Sequence, residues 1–157
     1  MRFYKHPTNN GIHVANLWTS DGTRLAAATF TSETASGWQQ VSFALPVAVM
    51  ANTTYVASYH TNEGHYAASS NYFDAGVDNA PLHALRSDAD GPNGVYRYGP
   101  SGSFPDQNYR ATNYWVDVVF TMTPSDTTPP IVTSVVPAPA ATGVPIATKS
   151  SRLSTRR

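Results

Sequence analysis

Two short stretches of this chain have spacings that suit a metal. His60 and His65 flank the segment TNEG, so a hairpin there would turn two imidazoles toward each other, with His13 or Glu63 as a further donor. Such a set would support a metal-assisted hydrolase, although two histidines around a turn also serve as plain surface residues. Asp88, Asp90 and Asn93 in SDADGPNG place oxygen donors alternately along a Gly turn, in the manner of a Ca2+ loop. The terminal bidentate Glu of such loops is missing, and turn chemistry explains the same residues. Other catalytic chemistries find less support. Nucleophilic catalysis needs an activated Ser, Thr or Cys beside a base; the chain has no cysteine and no Gly-x-Ser-x-Gly elbow. Paired carboxylates for glycoside hydrolysis would have to face each other across a cleft, whereas Asp74, Asp78, Asp88, Asp90 and Asp106 sit in loop-like segments.

The remaining chemistry is ring stacking. Pyranose faces pack on flat aromatic side chains while their hydroxyls seek amides, carboxylates and guanidinium groups. Tyr66, Tyr72, Phe73, Tyr96, Tyr98 and Tyr109 lie in or beside loop segments, with Arg97 and Asp106 among their polar neighbours, and these eight residues form the expected ligand-binding set. Trp18, Trp38, Tyr55 and Trp115 fall inside strand-like runs and are expected to fill the core.

The elements that must position these groups read as strands. HVANLWT (13–19) and RLAAATF (24–30) are joined by an Asp-Gly turn and form an expected hairpin. WQQVSFA (38–44) alternates until Pro46 limits it. TYVASYH (54–60) and HYAASS (65–70) read as a second hairpin, residues 71–94 as a long irregular loop, and 113–121 as a strand with Tyr114, Val116, Val118 and Phe120 on one face. Arg2 to Lys5 is a short extended stub. No segment sustains a 3.6-residue period, so the expected fold is all-β, an antiparallel, jelly-roll-like β-sandwich over residues 1–123.

Composition narrows the partners. Charged residues are 13% of the chain and the formal net charge is zero, so the basic footprint of a nucleic-acid binder is missing. No apolar run is long enough for a membrane-spanning helix, and MRFYKHPTNN has no apolar signal-peptide region. Thr, Ser, Asn, Gly and Tyr are frequent while Lys and Glu are scarce, which favours an extracellular or cell-surface module. Residues 1–124 hold six basic and nine acidic side chains; 125–157 hold four and one. The Pro-rich 124–157 segment therefore reads as a separate, largely disordered tail with one strand candidate at Ile131 to Val136.

The ordered series RFYK, LWTSDGTRLAAATFTSETASGWQQVSFALPVAVMANTTYVASYHTNEGHYA, NGVYRYG and FPDQNYRATNYWVDVVF resembles the bacterial domain family DUF4082 over about residues 2–122. The resemblance implies a β-sandwich module of large secreted or surface proteins and no established activity. DTTPPIVTSVVPAPAATGVPIAT resembles the opening of a bacterial Ig-like repeat, implying Ig-like neighbours, and the closing SSRLSTRR reads as a break from that pattern through a frameshift or a gene-fragment end. The family usually carries one or two more strands before RFYK. Without them a strand would be left with unpaired backbone groups, a route to dimerisation through an exposed edge. The expected function is non-catalytic binding of a polysaccharide or cell-surface glycan, with a ligand-free spacer or adhesin domain as the alternative.

Overall fold

The computed structural model describes residues 1–122, the backbone of Ile131–Val136 and Ser151–Thr155, and Thr142. Two compact units divide the chain, Met1–Val119 and Phe120–Arg157. In the first, the strands are β1 (Arg2–Lys5), β2 (His13–Thr19), β3 (Arg24–Thr29), β4 (Gly37–Gln40), β5 (Tyr55–Thr61), β6 (Val77–Asn79), β7 (Leu82–Ala84), β8 (Val95–Tyr96), β9 (Gln107–Asn108) and β10 (Val116–Asp117). A single 3-10 turn, Tyr72–Asp74, is the one helical element among the described residues.

Two antiparallel three-stranded sheets carry the fold, ordered β10-β1-β4 and β3-β2-β5. The chain passes from one sheet to the other between β1 and β2, β3 and β4, β4 and β5, and β5 and β10, the repeated crossing that a jelly-roll-like sandwich requires. Alternation explains which side chains meet between the sheets. Phe3 of β1 is fully buried; it stacks on Tyr59 of β5 at 4.3 Å, meets Phe30 edge-on at 4.8 Å and lies 4.8 Å from the His13 ring. Met1, Ala15 and Phe30 complete the buried cluster, with Val41, Phe43, Ala57, Val116 and Val118 packed against it.

Beside this apolar core runs a buried polar chain. Lys5 Nζ donates to Glu33 Oε2 at 2.8 Å, Glu33 Oε1 lies 2.8 Å from His13 Nδ1, and His13 Nε2 lies 3.0 Å from Asn9 Oδ1. The Thr61 hydroxyl also donates to Asn9 Oδ1. His13 is fully buried and Lys5 and Glu33 nearly so, so each needs its partners to offset desolvation.

The Asp-Gly hairpin forms as expected: Gly22 takes φ +91°, the Asp21 side chain accepts from Thr23 N–H at 3.1 Å, and Ala15 pairs with Ala28. The second expected hairpin does not form. β5 pairs with β2 in register from His13↔Thr61 to Thr19↔Tyr55, while Gly64 and His65 both adopt positive φ (72° and 57°) and turn the chain away from β5. Residues 65–70 then bridge only at Ser69↔Asn113 among the described residues. The supposed irregular loop contains the β6–β7 hairpin, whose turn holds a cis Ala80-Pro81 bond; its exposed, polar VDN carries no alternation to mark it.

The expected 113–121 strand shrinks to Val116 and Asp117, because Trp115 adopts φ +54° and breaks the pleat. Val116 and Val118 still reach the core, but Phe120 is exposed. β1 is bonded on both sides, to β10 and β4, so this strand is not an open edge. In the second unit, β11 (Ile131–Val136) and β12 (Ser151–Thr155) pair antiparallel, giving residues 151–155 a strand partner that the sequence did not suggest. The expected disorder and Ig-like character of the rest of the tail fall on residues outside those described.

Candidate aromatic groove

With Phe3 turned inward, its neighbours Arg2 and Tyr4 must face outward from the sheet. Tyr4 stands directly opposite Trp38, and Arg2 opposite both Gln40 and Asp117. Residues opposite each other in an antiparallel pair share a face, so one outer surface carries Arg2, Tyr4, Trp38, Gln40 and Asp117. The Tyr4 and Trp38 rings meet edge-on at 5.8 Å. The Arg2 guanidinium lies 5.0 Å from the Trp38 ring centre and is ion-paired to Asp117, which holds it against the ring.

Trp38 faces out because its neighbour Gln39 faces in. The Gln39 amide is fully engaged by the 34–37 turn: Oε1 accepts from Thr34 N–H at 2.8 Å, and Nε2 donates to Thr34 Oγ1 at 2.7 Å and to Gly37 O at 3.0 Å. A polar side chain so bonded is cheap to bury, and period-2 geometry then places the larger ring in solvent. The expectation that Trp38 fills the core is thus reversed; it is 45% exposed.

Trp115 also leaves the core. Its positive φ is over-determined: its N–H donates to Asn113 Oδ1 at 2.7 Å, its carbonyl accepts from Tyr4 N–H at 3.0 Å, and its Nε1 donates to Ser69 Oγ at 3.3 Å. A bulky residue held at φ > 0 by three bonds is a local departure that needs support from its surroundings. Tyr4, Trp38, Tyr66 and Trp115 then wall an open groove of about 450 Å3, with Ala67, Ala68 and His6 completing its lining. Trp18 is buried, as expected, and Tyr55 half-buried.

The expected ligand set is partly gathered. Tyr66 lines the groove. Tyr72 packs edge-on behind Trp115 at 5.4 Å and against Phe73 at 5.2 Å, so these two support the wall instead of lining it. Tyr66 leads through Tyr114 (5.4 Å) to Tyr96 (6.3 Å) and on to Tyr98 (5.7 Å), forming a continuous tyrosine row. Arg97 and Asp106 pair with each other. Tyr109 lies outside the groove lining, its ring beneath the Arg110 guanidinium at 5.3 Å. Sequence reasoning missed Tyr4 and His6 and placed Trp38 and Trp115 in the core; the alternation about Phe3 held the signal for Tyr4.

Burial, followed by the neighbouring tyrosines, pushes the Tyr114 phenol up to about 12. Tyr66 is raised first by its interaction with the Tyr98 side chain and then by burial, and Tyr59 is raised chiefly by burial. A phenol whose pKa is higher folded than unfolded keeps its proton longer in the native state, so stability is fully present below about pH 10 and falls as pH rises through the folded values. The urea midpoint should accordingly drop from about pH 10 toward pH 12, between the ionisation of free tyrosine and that of the folded Tyr114 phenol. Tyr114→Phe should make that drop shallower, and an identical slope in the variant would contradict the assignment.

The metal arrangements do not assemble. His60 Nε2 is 3.1 Å from Asn62 Oδ1, His65 sits on the turn that replaces the expected hairpin, and His13 is committed to Glu33 and Asn9. Asp88 N–H donates to the Gly91 carbonyl within its turn, Asn93 bonds Leu85 O and Gly94 N–H, and Asp90 accepts from the Thr54 hydroxyl far away in sequence, so all three residues are engaged within the fold. Among the described residues no three His, Cys, Asp or Glu side chains gather closely enough to hold a metal.

The fold and groove define a small antiparallel β-sandwich module with an aromatic outer face. The chain belongs to the DUF4082 family, described as a domain of unknown function, whose profile matches residues 1–116. No curated protein and no solved structure matches it significantly.

Proposed function

We propose that this is a non-catalytic, extracellular or cell-surface module that binds a polysaccharide or surface glycan along the groove of Tyr4, Trp38, Tyr66 and Trp115. One observation carries the reading: four rings from separate segments converge on one open groove, three of them (Tyr4, Trp38 and Tyr66) more than 40% exposed. Exposed rings held together in a fixed place supply the flat faces that pyranose rings pack against. Gln40 and the Arg2–Asp117 pair on the same face offer hydrogen bonds to hydroxyls. The guanidinium is already neutralised by its carboxylate, which favours neutral sugars over uronate or sulfated polymers. Its setting beside Ig-like domains in a parent surface protein rests on the resemblance of the tail sequence.

Affinity electrophoresis on a panel of neutral and acidic polysaccharides tests this. A neutral polymer should retard the protein, and Trp38→Ala or Tyr66→Ala should weaken retention about tenfold each, near 1.4 kcal/mol. Tyr109→Ala, outside the groove, should leave it unchanged. Retention on none of the polymers would leave a structural spacer as the better reading.

A further inference from the structure

The two sides of the β3-β2-β5 sheet are unequal. β5 is half-covered along its whole length, whereas β3 exposes Arg24, Leu25, Ala27 and Thr29. Backbone direction along β3 follows from its pairing. Phe30 N–H donates to the His13 carbonyl at 3.0 Å, so stepping by two makes Ala28 opposite Ala15 and Ala26 opposite Leu17 the bonded pairs with β2. Ala27 and Thr29, lying between them, aim their N–H and C=O groups out along an edge that no strand among the described residues covers. Leu25 is the extra residue of a bulge between the Ala26 and Arg24 pairings.

Beside this edge lies an apolar groove of about 460 Å3, lined by Leu25, Ala26 and Ala27 on one side and residues 43–47 on the other. Leu45 is 77% exposed there. β3 contains no Pro and no Lys, the usual guards of an open edge, and its one charge, Arg24, stands at its start.

We propose that β3 pairs antiparallel with β3 of a second copy about a twofold axis through Ala28. The strand's own sequence argues for this occupant. In that register Ala27 faces Thr29 of the second copy and exchanges both backbone bonds with it, so the outward-facing groups of the two strands satisfy one another. Ala28 meets its counterpart, Ala26 meets Phe30, and the bulged Leu25 lies outside the bonded ladder, opposite Thr31. Arg24 falls opposite Ser32, so no like charges meet, and the chain's zero formal net charge sets up no long-range repulsion between copies. Small side chains at 26, 27 and 28 let the strands close to ladder distance, and the exposed Leu45 beside the groove gains apolar cover.

The chain has no cysteine, so a single introduced thiol reports the register without ambiguity. Residues opposite each other in a non-bonded antiparallel pair have Cα atoms about 4.5 Å apart, within disulfide range. Ala28→Cys in the full chain should therefore yield a covalent dimer on mild oxidation, and Ala26→Cys should not. By sedimentation velocity the unaltered chain should run at twice the monomer mass. Ala27→Pro, which removes an outward donor, and Ala27→Lys, which keeps the donor but charges the edge, should each run as monomer with an unchanged far-UV circular dichroism spectrum. A monomeric parent chain at millimolar concentration, equal cross-linking of the two thiols, or a dimer persisting in both Ala27 variants would overturn the proposal. So would a monomeric chain that takes up an extended apolar peptide at this edge.

Discussion

Gly94→Ala should lower the melting temperature by roughly 10 °C, a loss of about 3 kcal/mol in a protein of this size. Gly94 has φ +77°, and a Cβ added there would sit 2.5 Å from the Thr112 nitrogen and closer still to the Thr112 carbonyl oxygen. Both are backbone atoms of a turn that cannot yield: Thr112 is buried, with its N–H and hydroxyl donating to the Tyr109 carbonyl at 3.2 and 2.6 Å. The cost combines left-handed backbone strain of about 1–2 kcal/mol with overpacking of about 1–3 kcal/mol. Gly64→Ala is the control, since Gly64 has φ +72° but nothing within 4 Å of the added Cβ. It should cost only the backbone part, about 1 kcal/mol. Equal melting of the two variants by circular dichroism would show that the 94–112 contact is not a close one.

Phe3→Ala should destabilise by about 3–5 kcal/mol, enough to unfold a large share of the chain near body temperature. The ring is wholly buried and touches residues of the opposite sheet, Phe30, Tyr59 and His13, so no single neighbour can collapse into the space it leaves. Its loss also opens a void beside the Glu33–His13–Asn9 chain, whose bonds depend on water being kept out. Tyr4→Ala, one residue along, should shift stability by less than about 1 kcal/mol yet weaken polysaccharide retention, because its ring lies on the other face. Urea titrations of the two variants compare them directly; similar midpoints would refute the inward and outward assignment.

How much of this was legible in the chain depends on what each residue's position is decided by. Strand existence was legible wherever neighbours in sequence decide it: HVANLWT and RLAAAT around Asp-Gly fold as read, since the turn sets the register. Misreadings arose where a distant bond decides. Trp38 reads as core because it is large and apolar, but the burial of Gln39 depends on the 34–37 turn folding back over it. Trp115 reads as mid-strand, but its left-handed backbone is fixed by Asn113, Ser69 and Tyr4, the last two far away in sequence. Tyr66, read from the sequence as part of an expected HYAASS strand, was among the ring candidates; its groove partners were hidden, because the outward face of a four-residue stub has meaning only once β4 lies beside it.

β1 has a temporal consequence as well as a spatial one. It is the central strand of its sheet, yet one of its partners, Asp117, lies 115 residues further along the chain. During synthesis at about 5–20 residues per second, β1 must wait on the order of ten seconds before β10 has been made. β2, β3 and β5 are complete by residue 61, so that sheet can assemble first and offer Tyr59 and Phe30 as a surface on which Phe3 docks. The aromatic groove, which needs β1, β4 and Trp115 together, is then among the last parts to take shape, so a chain stalled before Trp115 would emerge with its first sheet formed and its groove missing a wall.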